Sequence, residues 1–147
     1  MNITRLFAAV ALATALVAFP AAAQQRKTVD GVVINMGILG ALMAEHVDAQ
    51  HGVHKGAHGS GMEHVVVSLA EEKGGARIAD AEVSVEVKNP RGVIQKKPLM
   101  AMITAGFPDY SEVFDFGWSG KYVVRVSIKR KGAARTIQAS FIVNRAI

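Results

Sequence analysis

The stretch "KYVVRVSIKRKG", residues 121–132, decides the fold. Tyr122, Val124, Val126 and Ile128 occupy every second position, while Arg125 and Lys129 fall between them. A period of two places the apolar set on one side of an extended chain and the charges on the other, as in a strand with one buried face. Gly132 marks the tip of a turn, and "TIQASFIV", residues 136–143, then repeats the alternation with Ile137, Ala139, Phe141 and Val143 inward.

The same pattern extends upstream. In "AEVSVEVKNP", residues 81–90, Val83, Val85 and Val87 point inward, and Asn89, Pro90 and Gly92 end the strand. In "EHVVVSLAEE", residues 63–72, Val65, Val67 and Leu69 face one way and His64, Ser68 and Ala70 the other, with Val66 interrupting the second face. "KGGAR", residues 73–77, is a turn by its Gly-Gly. "LMAMIT", residues 99–104, is apolar on both faces, which predicts a central strand or one lying against something else. "SEVFDFGW", residues 111–118, places Phe114, Phe116 and Trp118 on one face, and the tryptophan and the phenylalanines are expected in the core. Asp80, Asp109, Glu112 and Asp115 fall near turns or on outward positions. Short strands, frequent turns and no long helical period predict an all-β protein, a single antiparallel Ig-like β-sandwich of about seven strands.

Two further motifs carry a resemblance. "RIADAEVSVEV", residues 77–87, followed by "SGKYVVRVSI", residues 119–128, resembles the paired signature of Ig-like and prealbumin-like sandwiches. With "HVVVSL", "MITAG" and a His/Met-containing lead-in, residues 62–143 are similar to the YtkA-like group of exported bacterial sandwich domains. The resemblance implies a role in copper handling or oxidase assembly. A sandwich hosts many activities, so the likeness bears on fold more than on function. In physical terms, Gly120 permits a tight entry into its strand, and Tyr122 can bury its ring while its hydroxyl finds a partner.

The first 25 residues, "MNITRLFAAVALATALVAFPAAAQQ", combine Arg5, an uncharged Ala/Leu/Val run and the small residues Ala21 to Ala23. This is the layout of a signal peptide, residues 1–23, with cleavage between Ala23 and Gln24; the alternative is a membrane anchor. No later segment is apolar for long enough to span a membrane, so a periplasmic chain with no transmembrane segment is expected after processing. Residues 24–62 read as a lead-in: a strand at Val32 to Met36, a helical turn through Leu39, Leu42, Met43 and His46, then a Gly-rich loop. Residues 63–147 are assigned to the sandwich, and the lead-in strand is expected to complete a sheet edge or to pair with a second molecule.

Composition narrows the function. No cysteine is present, which excludes thiolate metal sites, haem attachment through C-x-x-C-H and blue-copper centres. The formal net charge is +5, with basic residues at Lys96, Lys97 and in "KRKGAAR", residues 129–135. Export argues against nucleic acid as the partner, leaving a solvated basic face or a loose association with anionic lipid or an acidic protein.

All five histidines, His46, His51, His54, His58 and His64, lie between positions 46 and 64. Imidazole binds copper, zinc and nickel, and thioether sulfur adds a preference for Cu(I). Met62, Met100 and Met102 therefore join the histidines as candidate ligands, with Met43 beside them. Met62 and His64 share one side of a strand by the two-residue period, as do Met100 and Met102. Each has a simpler reading: a solvated polar loop, methionines that fill the core, and a strand histidine hydrogen-bonded to a neighbour. H-x-H pairs, H-E-x-x-H, G-x-S-x-G and phosphate-loop motifs are absent, so the chain reads as a non-enzyme. Two functions follow: an exported module that binds or passes copper, and a metal-free accessory that binds an envelope protein partner.

Overall fold

A computed structural model describes residues 24–40, 61–104 and 106–146. The expected signal peptide, the helical turn at Leu42, Met43 and His46, and the ligands His46, His51, His54 and His58 lie outside the described residues.

Nine strands occur among them: β1 (Gln25–Val29), β2 (Val32–Gly40), β3 (Met62–Glu71), β4 (Ala81–Lys88), β5 (Ile94–Pro98), β6 (Met100–Thr104), β7 (Phe107–Asp115), β8 (Gly120–Arg130) and β9 (Thr136–Arg145). They form two antiparallel sheets, ordered β1-β2-β3-β7-β6 and β5-β4-β8-β9. The expected sandwich is present, with two more strands than the sequence suggested. No helix among the described residues is long and apolar enough to cross a membrane.

The alternation in each strand produces the core. Val83, Val85 and Val87 of β4 and Tyr122, Val124, Val126 and Ile128 of β8 meet Ile34 and Met36 of β2, Val65, Val67 and Leu69 of β3, and Tyr110 and Phe114 of β7. Burying such side chains is the main favourable contribution to folding. Two ion pairs join β3 to the opposite sheet, one at each end. Arg145 donates to both oxygens of Glu63 at 2.7 and 2.6 Å, and Arg130 pairs with Glu71. The first is the more shielded and is bidentate, so it holds the sheets in register better than a solvated pair does.

Residues 25–40 of the lead-in belong to the sandwich. Asp30 and Gly31 both have positive φ, the geometry of a two-residue hairpin turn, and fold β1 against β2. β2 is flanked by β1 and β3, so it lies inside the sheet, and the edge position expected for it is taken by β1. Leu39 stands in the strand rather than in a helical turn, because β2 pairs with β3 as far as Gly40.

Other expectations are corrected. The "LMAMIT" segment is not a central strand. The chain passes from one sheet to the other at Leu99, whose N–H donates to the Val83 carbonyl, and β6 then forms an edge with Met100 and Ile103 exposed. Trp118 is 40% exposed, because β7 ends at Asp115 and the tryptophan stands in the following loop under the Arg91 guanidinium. Phe107 is exposed too, whereas Phe114, Phe116 and Phe141 are buried as expected. Asp109 and Glu112 are half-buried rather than solvent-facing.

The Tyr122 ring is fully buried, 4.9 Å from that of Phe116. Its hydroxyl accepts from the Trp118 N–H and donates to the Trp118 carbonyl, both at 2.9 Å. This is the arrangement of the tyrosine corner of Ig-like sandwiches. Tyr122→Phe keeps the ring and removes both bonds, so it is expected to lower stability by about 1–3 kcal/mol in urea unfolding; an unchanged midpoint would show that the loop holds itself.

Candidate functional site

Residues directly opposite each other in an antiparallel ladder share a face of the sheet. On the side of the five-stranded sheet away from the core, Met62 stands opposite Asp115 and His64 opposite Val113. Across the other edge of β7, Met100 stands opposite Ser111 and Met102 opposite Asp109. All four candidate ligands among the described residues therefore occupy one face, two on β3 and two on β6, with β7 between them. Strand spacing puts the β3 and β6 backbones roughly 10 Å apart.

Ser111 is the centre of this arrangement. It lies opposite both Val66 of β3 and Met100 of β6, and its Oγ is 3.2 Å from His64 Nδ1. His64 and Ser111 are each 5% exposed although they face away from the core, and Val33 and Val113 on the same face are buried as well. The reading of His64 as a strand histidine hydrogen-bonded to a neighbour thus describes its Nδ1. Met100 is 49% exposed, and Met62 and Met102 are half-buried, so none of these methionines fills the core.

A groove of about 360 Å³ continues along the same face, lined by Asn35, Gly37, Leu39, Val66, Ser68, Arg77 and Asp109. Gly37 leaves its floor open in the middle of β2, and Asn35 Nδ2 donates to Ser68 Oγ at 3.4 Å. Arg77 covers the exposed Phe107 ring at 5.3 Å. Sequence reasoning singled out neither Ser111 nor Asp109 as part of a site, since only the non-local order β3-β7-β6 brings them between the methionines and His64. Among the described residues no group of three or more His, Asp or Glu side chains is placed to hold a metal ion. The donors on this face are one imidazole, thioethers and a carboxylate, spread along β7 from Met62 beside Asp115 to Met102 beside Asp109, with His64 and Met100 between them.

Neither a protein-family model nor a curated protein sequence matches the chain. Solved structures do. A DUF4426 family protein from Pseudomonas aeruginosa PAO1 superposes with a TM-score of 0.66 at 15% identity, over 83% of this chain and 94% of that one. FetP of uropathogenic Escherichia coli strain F11, expressed in the periplasm, gives a TM-score of 0.63 at 13% identity, over 82% and 92%. Copper-reconstituted P19 from Campylobacter jejuni gives 0.61 at 14%, again over 82% and 92%. At such identities the likeness establishes a shared β-sandwich fold.

The start of β3, which carries Met62 and His64, depends on Gly61. Its φ is +96°, its carbonyl accepts the Phe116 N–H at 2.7 Å, and an added Cβ would lie 2.6 Å from the Gly117 Cα. Gly61→Ala is expected to destabilise the fold by about 2 kcal/mol, combining left-handed strain with a backbone clash. A thermal melt that matches the unsubstituted chain would refute this.

Proposed function

We propose that the chain is an exported, non-catalytic copper-handling module of the YtkA-like kind. The observation that carries this reading is the placement of His64 and Met100 on one sheet face beside Ser111, with Met62 and Met102 farther along that face in opposite directions. The donor chemistry fits the metal. Thioethers favour Cu(I), and imidazole accepts either copper oxidation state. His64 would supply a ring nitrogen, while Met100 and Met102 would supply sulfur from the edge strand. FetP and P19 share the sandwich, and copper-bound forms of both are known. The histidines His46, His51, His54 and His58 belong to the connection that leaves β2 at Gly40 and returns at Gly61, next to Met62, and are proposed as further ligands. Export fits the N-terminal leader, and delivery of copper to an envelope complex is the corresponding task.

A second reading has its own observation. β6 is an uncharged edge strand with Met100 and Ile103 exposed, and such an edge can accept an extended segment of a protein partner without any metal.

Competitive titration with Cu(I) separates the two. The unsubstituted chain is expected to bind one equivalent tightly. Met100→Leu/Met102→Leu is expected to weaken Cu(I) binding by about ten-fold or more, since leucine keeps the volume and removes the sulfur. Weak binding of several equivalents, unchanged by these substitutions and by His64→Ala, would discard the copper reading in favour of the metal-free accessory.

A further inference from the structure

A second surface lies at the end of the sandwich where β4 turns into β5 and β7 leads into β8. The turn after β4 is held rigidly. Asn89 Oδ1 accepts from the N–H groups of Arg91 and Val93 at 3.0 and 2.9 Å, and the Asn89 N–H donates to the Val93 carbonyl. Pro90 packs on Gly120, and the Arg91 guanidinium lies 3.2 Å from the centre of the Trp118 indole. Trp118 is itself held by the Tyr122 hydroxyl.

This rigid end presents two kinds of group to water. Val93 is 57% exposed, Ile94 54% and Trp118 40%, which puts three of the seven large exposed apolar side chains among the described residues in the turn after β4, at the start of β5 and in the loop before β8. Beside them a trough of about 580 Å³ is bordered by Lys88, Arg91 and Lys121, all exposed. None of these three cations has an ion-pair partner among the described residues. The nearby carboxylates are already engaged: Asp115 Oδ1 accepts the Gly117 N–H, and Glu63 is held by Arg145.

We infer that this end of the sandwich docks on an anionic lipid bilayer, with Lys88, Arg91 and Lys121 around headgroup phosphates and Val93, Ile94 and Trp118 in the interface. Charge complementarity selects the headgroup, because three cations with no ion-pair partner among the described residues border one trough. The exposed aliphatic tip selects a bilayer over an acidic protein. A few apolar side chains beside cations suffice for peripheral lipid binding. Tryptophan with cationic neighbours suits the headgroup level, where one side of the ring is apolar and the other wet. The inference does not depend on the copper reading, since it uses none of the proposed ligands.

Trp118 is the only tryptophan in the chain, so its fluorescence reports on this surface alone. The chain is purified as a host exports it, with its N-terminus read by mass, and mixed with vesicles of phosphatidylcholine alone or with one quarter phosphatidylglycerol. A blue shift of Trp118 emission and co-sedimentation are expected with the anionic vesicles and not with the neutral ones. Lys88→Ala/Lys121→Ala is expected to weaken binding roughly thirty-fold, the effect of two cations at an anionic surface. Val93→Ser/Ile94→Ser is expected to abolish the blue shift. All four positions are exposed, so both variants fold, and their Cu(I) titrations are expected to match the unsubstituted chain. Binding to both vesicle types alike, no shift with either, full competition by millimolar inorganic phosphate, or a shift with polyglutamate in place of vesicles would each overturn the inference.

Discussion

The Tyr122 hydroxyl, which grips the backbone of Trp118 through both its N–H and its carbonyl, is the constraint on which one whole end of the molecule depends. With that loop closed, Gly117 is held against Gly61, and β3 begins where Met62 and His64 reach the outer face. Gly120 meets Pro90, and the indole is offered to Arg91. A hydroxyl can do this only from a ring buried deeply enough to be immobile, and contact with Phe116 and the packed sheets supplies that. One side chain thus links the core to the positions of two surfaces with unrelated chemistry.

A sandwich of two open sheets has exposed strand edges, and this one protects them with side chains. Gln25 and Lys27 of β1 donate to the carbonyls of Ile142 and Ser140, which covers the free edge of β9. Beyond the point where β6 pairs, β7 is covered from β5: Gln95 exchanges two hydrogen bonds with the Asp115 backbone, and Lys97 donates to the Val113 carbonyl. β5 itself carries Lys96, Lys97 and Pro98, which discourage pairing with another chain. β6 carries no charge and no proline, so it differs from the other three edges in the kind of neighbour it tolerates.

The alternation of β4, β8 and β9 is legible because each has one face in the core and one in water, and period two then encodes orientation directly. β1 was hidden because "QRKTV" has a single aliphatic residue; the usable signal was Asp30-Gly31 between two extended runs, a hairpin pair that needs left-handed backbone. Extending the pattern of β7 to Trp118 fails because the chain leaves the ladder after Asp115, and periodicity holds no information about where hydrogen bonding stops. For the site, the two-residue period correctly placed Met62 with His64 and Met100 with Met102. That both pairs share one face could not be read locally, since it follows from β7 lying between β3 and β6, strands brought together across some forty residues of chain.

The crossing at Leu99 divides the molecule mechanically. Leu99 is buried at 7% exposure, whereas Met100, Ala101 and Ile103 beyond it are exposed, so the edge strand is moored at one end by a single core side chain and along its length by one ladder. Peeling β6 away from β7 therefore removes few buried apolar side chains of its own, and its free energy is set mainly by the backbone hydrogen bonds of that ladder rather than by the stability of the whole domain. The two methionines on this strand can rearrange around an incoming group while the sheets behind them stay closed, which gives a rigid fold one compliant margin.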